Sequence, residues 1–318
     1  MKTNKLPKNY GRLLNKNYFL LFLLVIIAFL SGFIIERNVR SRAEVRQQTK
    51  TASIQNTSAN AAPSEVNITK LQGEVIKKGY VFKIKWGDLG KKMVEDGVID
   101  KQKLAKAVTG TDNLPQNMDK YLSENQNSIE LSQDNAQFWV DVLWGLGLAN
   151  NNLILNSGPM VEGGNTGGFA SIAGYTIGLN QPMNIYSKYQ YINLSKDQEN
   201  EVYEIASNVY RPCCGNSTAF PDCNHGMAAL GLIELMVSQN FSKDDIYKTV
   251  LAFNTYWFPQ IYLDTAYYFQ QNGRDYSEVS AQELLSKTFS SAMGYQVVQK
   301  KVGAIKWPAL QNGGSCGA

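Results

Sequence analysis

Residues 132–149 read SQDNAQFWVDVLWGLGLA. Ser132 carries the kind of side-chain oxygen that takes an orphan amide at a helix start. Phe138, Val142 and Leu146 then recur at i, i+4 and i+8, the spacing that places side chains on one helical face. The stretch predicts a helix, and the same grammar recurs on both sides of it. Asp88 precedes LGKKMVEDG and Asp100 precedes KQKLAKAV, so either acid can cap. Ser195 with Gln198 makes a capping-box pattern ahead of ENEVYEIASNVY. Ser242 with Asp245 makes a looser one ahead of IYKTVLAFNTYWF, and Ser280 with Glu283 completes the series. Pro259 breaks or kinks the path before QIYLDTAYYFQQNG, where Gly273 fits a C-cap.

Two stretches depart from this pattern. Residues 79–86, GYVFKIKW, alternate β-branched or aromatic residues with lysine and predict a short strand. Residues 157–178, SGPMVEGGNTGGFASIAGYTIG, hold seven glycines in 22 residues, too many for a regular helix. The glycine run has neither the G-K-[ST] of a Walker loop nor a dinucleotide fingerprint. It reads as a long ordered surface loop or as the wall of a binding site, with residues 163–168 facing the cysteines described below. The fold class expected is mainly α: a single helical domain with a short N-terminal β element and a Gly-rich loop, preceded by one transmembrane helix.

That last element is residues 18–35, YFLLFLLVIIAFLSGFII, 18 residues without a charge. As a helix they span roughly 27 Å, close to the ~30 Å hydrocarbon core of a bilayer. The apolar run is too long for an ordinary signal-peptide core, and Glu36, Arg37 and Asn38 follow it where a small-x-small cleavage site would stand. Lys2, Lys5, Lys8, Arg12 and Lys16 precede it without an acid, while Arg37, Arg40, Arg42 and Arg46 follow diluted by Glu36 and Glu44. The positive-inside rule and the short N-terminal tail favour a cytoplasmic N-terminus. The expected layout is a cytoplasmic basic tail (1–17), a transmembrane signal anchor (18–35), a polar stalk (36–69) and an extracytoplasmic helical domain (70–318). The protein is thus expected in the cell membrane as a single-pass chain, with its folded part outside the cytoplasm.

The pI of 8.7 belongs to the membrane flanks. Residues 1–50 hold ten of the 31 Lys/Arg and two of the 27 Asp/Glu, leaving 21 basic and 25 acidic side chains for the rest. A basic nucleic-acid footprint is absent. The membrane, through anionic headgroups at the flanks, is the partner this charge pattern suggests, with an envelope protein partner as a further possibility.

The chemistry concentrates in residues 211–227, RPCCGNSTAFPDCNHGM, which hold Cys213, Cys214, Cys223 and the single histidine, His225. The fourth cysteine, Cys316, lies in the tail GGSCGA. The run MAALGLIELMVSQ after them reads as a helix with Asp222 as N-cap, which sets Cys223 and His225 in its first turn. The helix dipole and free amides there favour a thiolate at Cys223. RPCCGNSTAFPDCNHGM, the upstream GGNTGGFAS and the near-terminal cysteine together resemble an uncharacterised family of prokaryotic membrane-anchored proteins, over roughly residues 70–318. The resemblance implies location and no activity.

Three chemistries fit the cysteine run. In the leading one Cys213 or Cys214, Cys223, His225 and Cys316 are metal ligands, for zinc or copper(I), although C-C-x₈-C-x-H is no standard zinc-finger spacing. In the second, four cysteines on the oxidising side of a membrane form two disulfides and staple an envelope interaction or scaffold protein. In the third, the thiols cycle, with His225 as general base. Serine-hydrolase chemistry lacks its G-x-S-x-G, and a lone histidine excludes a His-rich metal hydrolase.

Overall fold

The computed structural model describes residues 66–310. The basic tail, the anchor segment and Cys316 lie outside the described residues, as does all but the last part of the stalk. Within them the chain is mainly helical, and no helix there is long and apolar enough to cross a membrane. The longer helices are α1 (Ile68–Val75), α2 (Leu89–Glu95), α3 (Lys101–Thr109), α4 (Gln116–Ser123), α5 (Ala136–Ala149), α6 (Lys196–Asn208), α7 (Asn224–Ser238), α8 (Lys243–Trp257), α9 (Pro259–Gln271) and α10 (Ala292–Val302).

Helices α5 and α7 form the centre. Every α5 residue except Gln137 is buried, and every α7 residue except Asn224 and Ser238. The one-faced stripe expected for α5 is therefore replaced by burial all round, as befits a helix surrounded by others. Glycine lets the two approach closely. A Cβ at Gly147 would overlap Met227 O, and one at Gly231 would lie 2.7 Å from Leu143 O. The backbones touch where any side chain would separate them.

The other elements cover this pair. Trp139 meets Trp86, Tyr121, Phe138 and Phe253 edge-on, and the Trp257 indole N–H of α8 donates to Ala136 O at 3.1 Å. The strand expected near residue 80 is β1 (Tyr80–Phe82). It pairs antiparallel with β2 (Ile129–Leu131), in the register Tyr80↔Leu131, Val81↔Glu130 and Phe82↔Ile129. A smaller core joins Leu71 and Val75 of α1, Tyr262, Leu263 and Ala266 of α9, and Trp307. The Trp307 indole donates to Asp264 Oδ1 at 2.7 Å, which ties the C-terminal segment to α9.

Most expected caps form. Asp100 accepts from Gln102 N and Lys103 N, Ser195 and Gln198 make a reciprocal box, and Ser242 and Ser280 each accept from the amide three residues on. Asp88 makes no capping bond, its carboxylate pairing with Lys92 at 3.0 Å instead. The glycine-rich stretch breaks into single turns, Pro159–Glu162, Thr166–Gly168 and Ala170–Ala173. Its later part is held by Trp144, whose indole N–H donates to Ser171 O at 2.6 Å.

Candidate metal centre

The segment between α6 and α7 folds back on itself. Thr218 N donates to Val209 O at 2.8 Å, closing residues 210–217 into a tight excursion that carries Cys213 and Cys214 outward. Tyr210 N donates to Leu285 O, and Ala292 N at the start of α10 donates to Cys214 O at 2.9 Å. The excursion is thus bonded to the chain that precedes it and to two later elements.

The chain then returns through Asp222 to Cys223, where a correction to the expected cap appears. Cys223, not Asp222, is the N-cap of α7: its backbone is extended, and its sulfur accepts from Gly226 N at 3.4 Å. The Asp222 carboxylate is engaged elsewhere. Oδ1 accepts from Arg211 at 2.6 Å and Oδ2 from Asn216 Nδ2 at 2.7 Å. A charge-assisted bond to a buried guanidinium is stronger than a neutral cap, and the cap position passes to the thiol.

Three sulfurs converge. Cys213 Sγ lies 3.2 Å and Cys214 Sγ 3.9 Å from Cys223 Sγ, and all three sulfurs lie within 4.8 Å of one another. Ligand bonds of about 2.3 Å around a tetrahedral zinc put sulfurs about 3.8 Å apart. The spacing found straddles that value. All three are free thiols, so the disulfide staple is not formed among the described cysteines.

Arg211 holds the arrangement from beneath, only 1 % exposed. Its Nε donates to Cys223 Sγ at 3.1 Å, one terminal nitrogen donates to Asn216 O, and the other to Phe220 O and Asp222 Oδ1. Glycine at 226 makes room for it, since a Cβ there would overlap the guanidinium. Cys223 is the thiol of the three that its neighbours make more acidic. Hydrogen bonds from Cys213 and Cys214, with Arg211 beside it, hold that thiol well below its ordinary value against the opposing effect of burial. Bonding to Cys214 and Cys223 pushes the Cys213 thiol up. Cys214 is drawn down by Cys213, but Cys223 and burial outweigh this and place it at about 11.

His225 is placed differently. Its ring is buried against Phe258, 4.5 Å between centroids, and Trp257 at 5.5 Å, outside the three-sulfur group. Burial lowers its pKa to about 4, so the imidazole is neutral at pH 7. Cys316 lies outside the described residues.

The glycine-rich stretch meets this segment through Phe169 and Ser171. Phe169 packs edge-on against Phe220 at 5.3 Å, and Ser171 N donates to Asp222 O at 3.1 Å. A Cβ at Gly163 or Gly164 would meet nothing, and one at Gly167 only Met183. Contact belongs to the turn after the glycines, where an aromatic ring and a paired amide do the packing.

Sequence reading alone gave no role to Arg211, Asp222 as its partner, Asn216 or Gly226. A signal for two of them was present: Arg211 and Asp222 are the only charged residues in the 17-residue run. A cation and an anion flanking clustered cysteines suggest a pair that shapes them. Comparison with family models, curated proteins and solved structures finds no match to the chain.

Proposed function

We propose that the chain binds a soft metal ion, zinc or copper(I), through Cys213, Cys214 and Cys223, in a membrane-anchored protein whose folded part lies outside the cytoplasm. The observation that carries the reading is the convergence of three sulfurs, from the excursion after α6 and the cap of α7, within 4.8 Å of one another. Thiolates at that spacing suit a small thiophilic cation. Three sulfurs alone suit trigonal copper(I). Zinc asks for a fourth donor, for which Cys316 from the tail and the neutral imidazole of His225 are the candidates. The location rests on the apolar run at residues 18–35 and its flanks.

The test is elemental analysis of full-length protein prepared without metal-affinity resin, then reconstituted with zinc or copper(I) under reducing conditions. About one ion per chain is expected. Cys223→Ser should lower metal content steeply, because serine replaces a thiolate poorly. A fourth-ligand role shows as a partial loss in His225→Ala or Cys316→Ser, because water can then fill the open position. A reduced protein that takes up neither ion overturns the reading.

A further inference from the structure

We propose that Cys213 and Cys223 are also a two-electron thiol–disulfide couple, which a hydroperoxide closes and whose closure discharges the metal ion. The discharge rests on the metal reading above, whereas the couple does not. Geometry selects the pair. Cys213 and Cys214 are adjacent, and neighbouring Cα atoms about 3.8 Å apart lie below the usual range of disulfides, from ~4.4 Å, so a bridge between them would be strained. Of the two remaining pairings, Cys213 with Cys223 has the closer sulfurs, 3.2 Å against 3.9 Å. Cys213 is the exposed member of the cluster, so a small oxidant arriving from solvent meets the pair on that side.

The surroundings assign the roles. Cys223 Sγ accepts N–H donors from Arg211 at 3.1 Å and, at the start of α7, from Gly226 at 3.4 Å, which fix the sulfur in place. It is the attacking sulfur. It displaces on the outer oxygen of the hydroperoxide, the O–O bond breaks, and the alcohol or water leaves with a proton. Cys223 becomes a sulfenic acid. The Cys213 sulfur then attacks the Cys223 sulfur, an S–S bond forms, the S–O bond breaks, and the hydroxide leaves as water with the Cys213 proton. Overall two thiols and one hydroperoxide give a disulfide, an alcohol and water. The two electrons pass from sulfur to the peroxide oxygens.

Closing the bridge withdraws two of the three donors. Cys214 is left, with Asp222 Oδ1 3.6 Å away but already bonded to Arg211. One thiolate does not retain a zinc ion. The bonds of Arg211 to Asn216, Phe220 and Asp222 involve neither bridging sulfur, so the excursion should hold its shape while the ion departs.

The experiment uses the full chain in detergent, one sample zinc-loaded and one reduced and zinc-free, each treated with two equivalents of hydrogen peroxide. Peptide mapping locates the bridge, and a chromophoric indicator reads released zinc. Expected are a Cys213–Cys223 disulfide in both samples and zinc release in the first. In the zinc-free sample Cys213→Ser should abolish the bridge to residue 213 and leave Cys223 to oxidise further, to the sulfinic acid. Cys214→Ser should still form the bridge, and far-UV circular dichroism checks that each variant is folded. Zinc bound but neither bridged nor released by peroxide would overturn the couple and leave the metal reading standing. A bridge in a protein that never binds zinc would do the reverse. Bridging of Cys214 to Cys223 instead, or sulfinic acid at Cys223 in the unsubstituted protein, would also overturn the proposal.

Discussion

Arg211 is buried with bonds from all three guanidinium nitrogens, and four acceptors converge on it: a thiol sulfur, two carbonyls and a carboxylate. Lysine cannot replace that fork, because an ammonium is a point charge without fixed directions. Arg211→Lys keeps the charge yet leaves some acceptors unpaired, at about 1–3 kcal/mol for each group left unsatisfied. Thermal unfolding of the metal-free protein should show the loss, and a zinc competition titration should show affinity down about tenfold as Cys223 loses its support. Unchanged values in both would mean that Arg211 does not shape the cluster. Gly226 gives a test of opposite intuition. Alanine in place of a helical glycine ordinarily stabilises by up to about 1 kcal/mol. Here the new Cβ would overlap the Arg211 guanidinium. Gly226→Ala should therefore destabilise, by about 1–3 kcal/mol, and a denaturant midpoint reads the sign directly.

At the scale of elements, the α5–α7 pair carries two buried acids whose cost depends on pH. Burial lifts Asp141 of α5 to about 7, opposed only by its bond from Gln137. Its folded pKa is above its unfolded value near 3.8, so the fold keeps a proton that the unfolded chain releases between those values. Stability from this group is fully present below pH ~3.8, is lost as pH rises to about 7, and changes little beyond. Integrated over that window the loss is at most on the order of 4 kcal/mol. Asp141→Asn should be close to neutral at pH 4 and clearly stabilising at pH 8, with chemical denaturation at the two pH values as the measurement. Equal effects at both would show that the carboxylate is better solvated than its burial implies. Glu234 of α7, fully buried with one oxygen unpaired and its pKa raised well above normal by burial, works in the same direction. These helices also show what a sequence carries openly. Caps at Asp100, Ser195, Ser242 and Ser280 are local bonds between residues two or three apart, and they were legible. The three-residue β2 was not, because its only warrant is a partner about fifty positions earlier. The cap of α7 was misread for the same reason. Asp222 has the right chemistry for it, but a guanidinium eleven residues away takes the carboxylate, and that contact exists only once the excursion has folded. The cysteines were legible as a group and the lone charge pair beside them offered a signal, while the bonds Arg211 makes became visible only in three dimensions.

For the whole molecule, the cysteine segment links α6, α7 and α10 and adds only Val209, Ala219 and the half-buried Phe220 to the main core, so an ion there should clamp a domain that already stands. Zinc at about a hundred times its dissociation constant should add about 2.7 kcal/mol. A chelator should lower the melting temperature without unfolding the protein, unlike a small zinc finger whose core is the metal. The N-terminal segment poses the remaining question of where this domain works. Residues 18–35 carry no charge and are flanked on both sides by basic residues. In a bilayer, a charge-free apolar run of this length can pair all its backbone groups by forming a helix, without a charge-burial penalty. The full chain should stay with membranes after alkaline carbonate extraction, whereas a chain beginning at residue 66 should appear in the soluble fraction with helical circular dichroism intact. Orientation is read in the same preparation. With the N-terminus cytoplasmic, protease added from outside should cut within residues 36–65 and release the domain, while protease on the cytoplasmic face should trim only residues 1–17. Full-length chain recovered in the carbonate supernatant would remove the anchor. Release of the domain only from the cytoplasmic side would invert the topology and put the thiols in a reducing compartment, where a hydroperoxide-driven Cys213–Cys223 bridge would be transient rather than lasting.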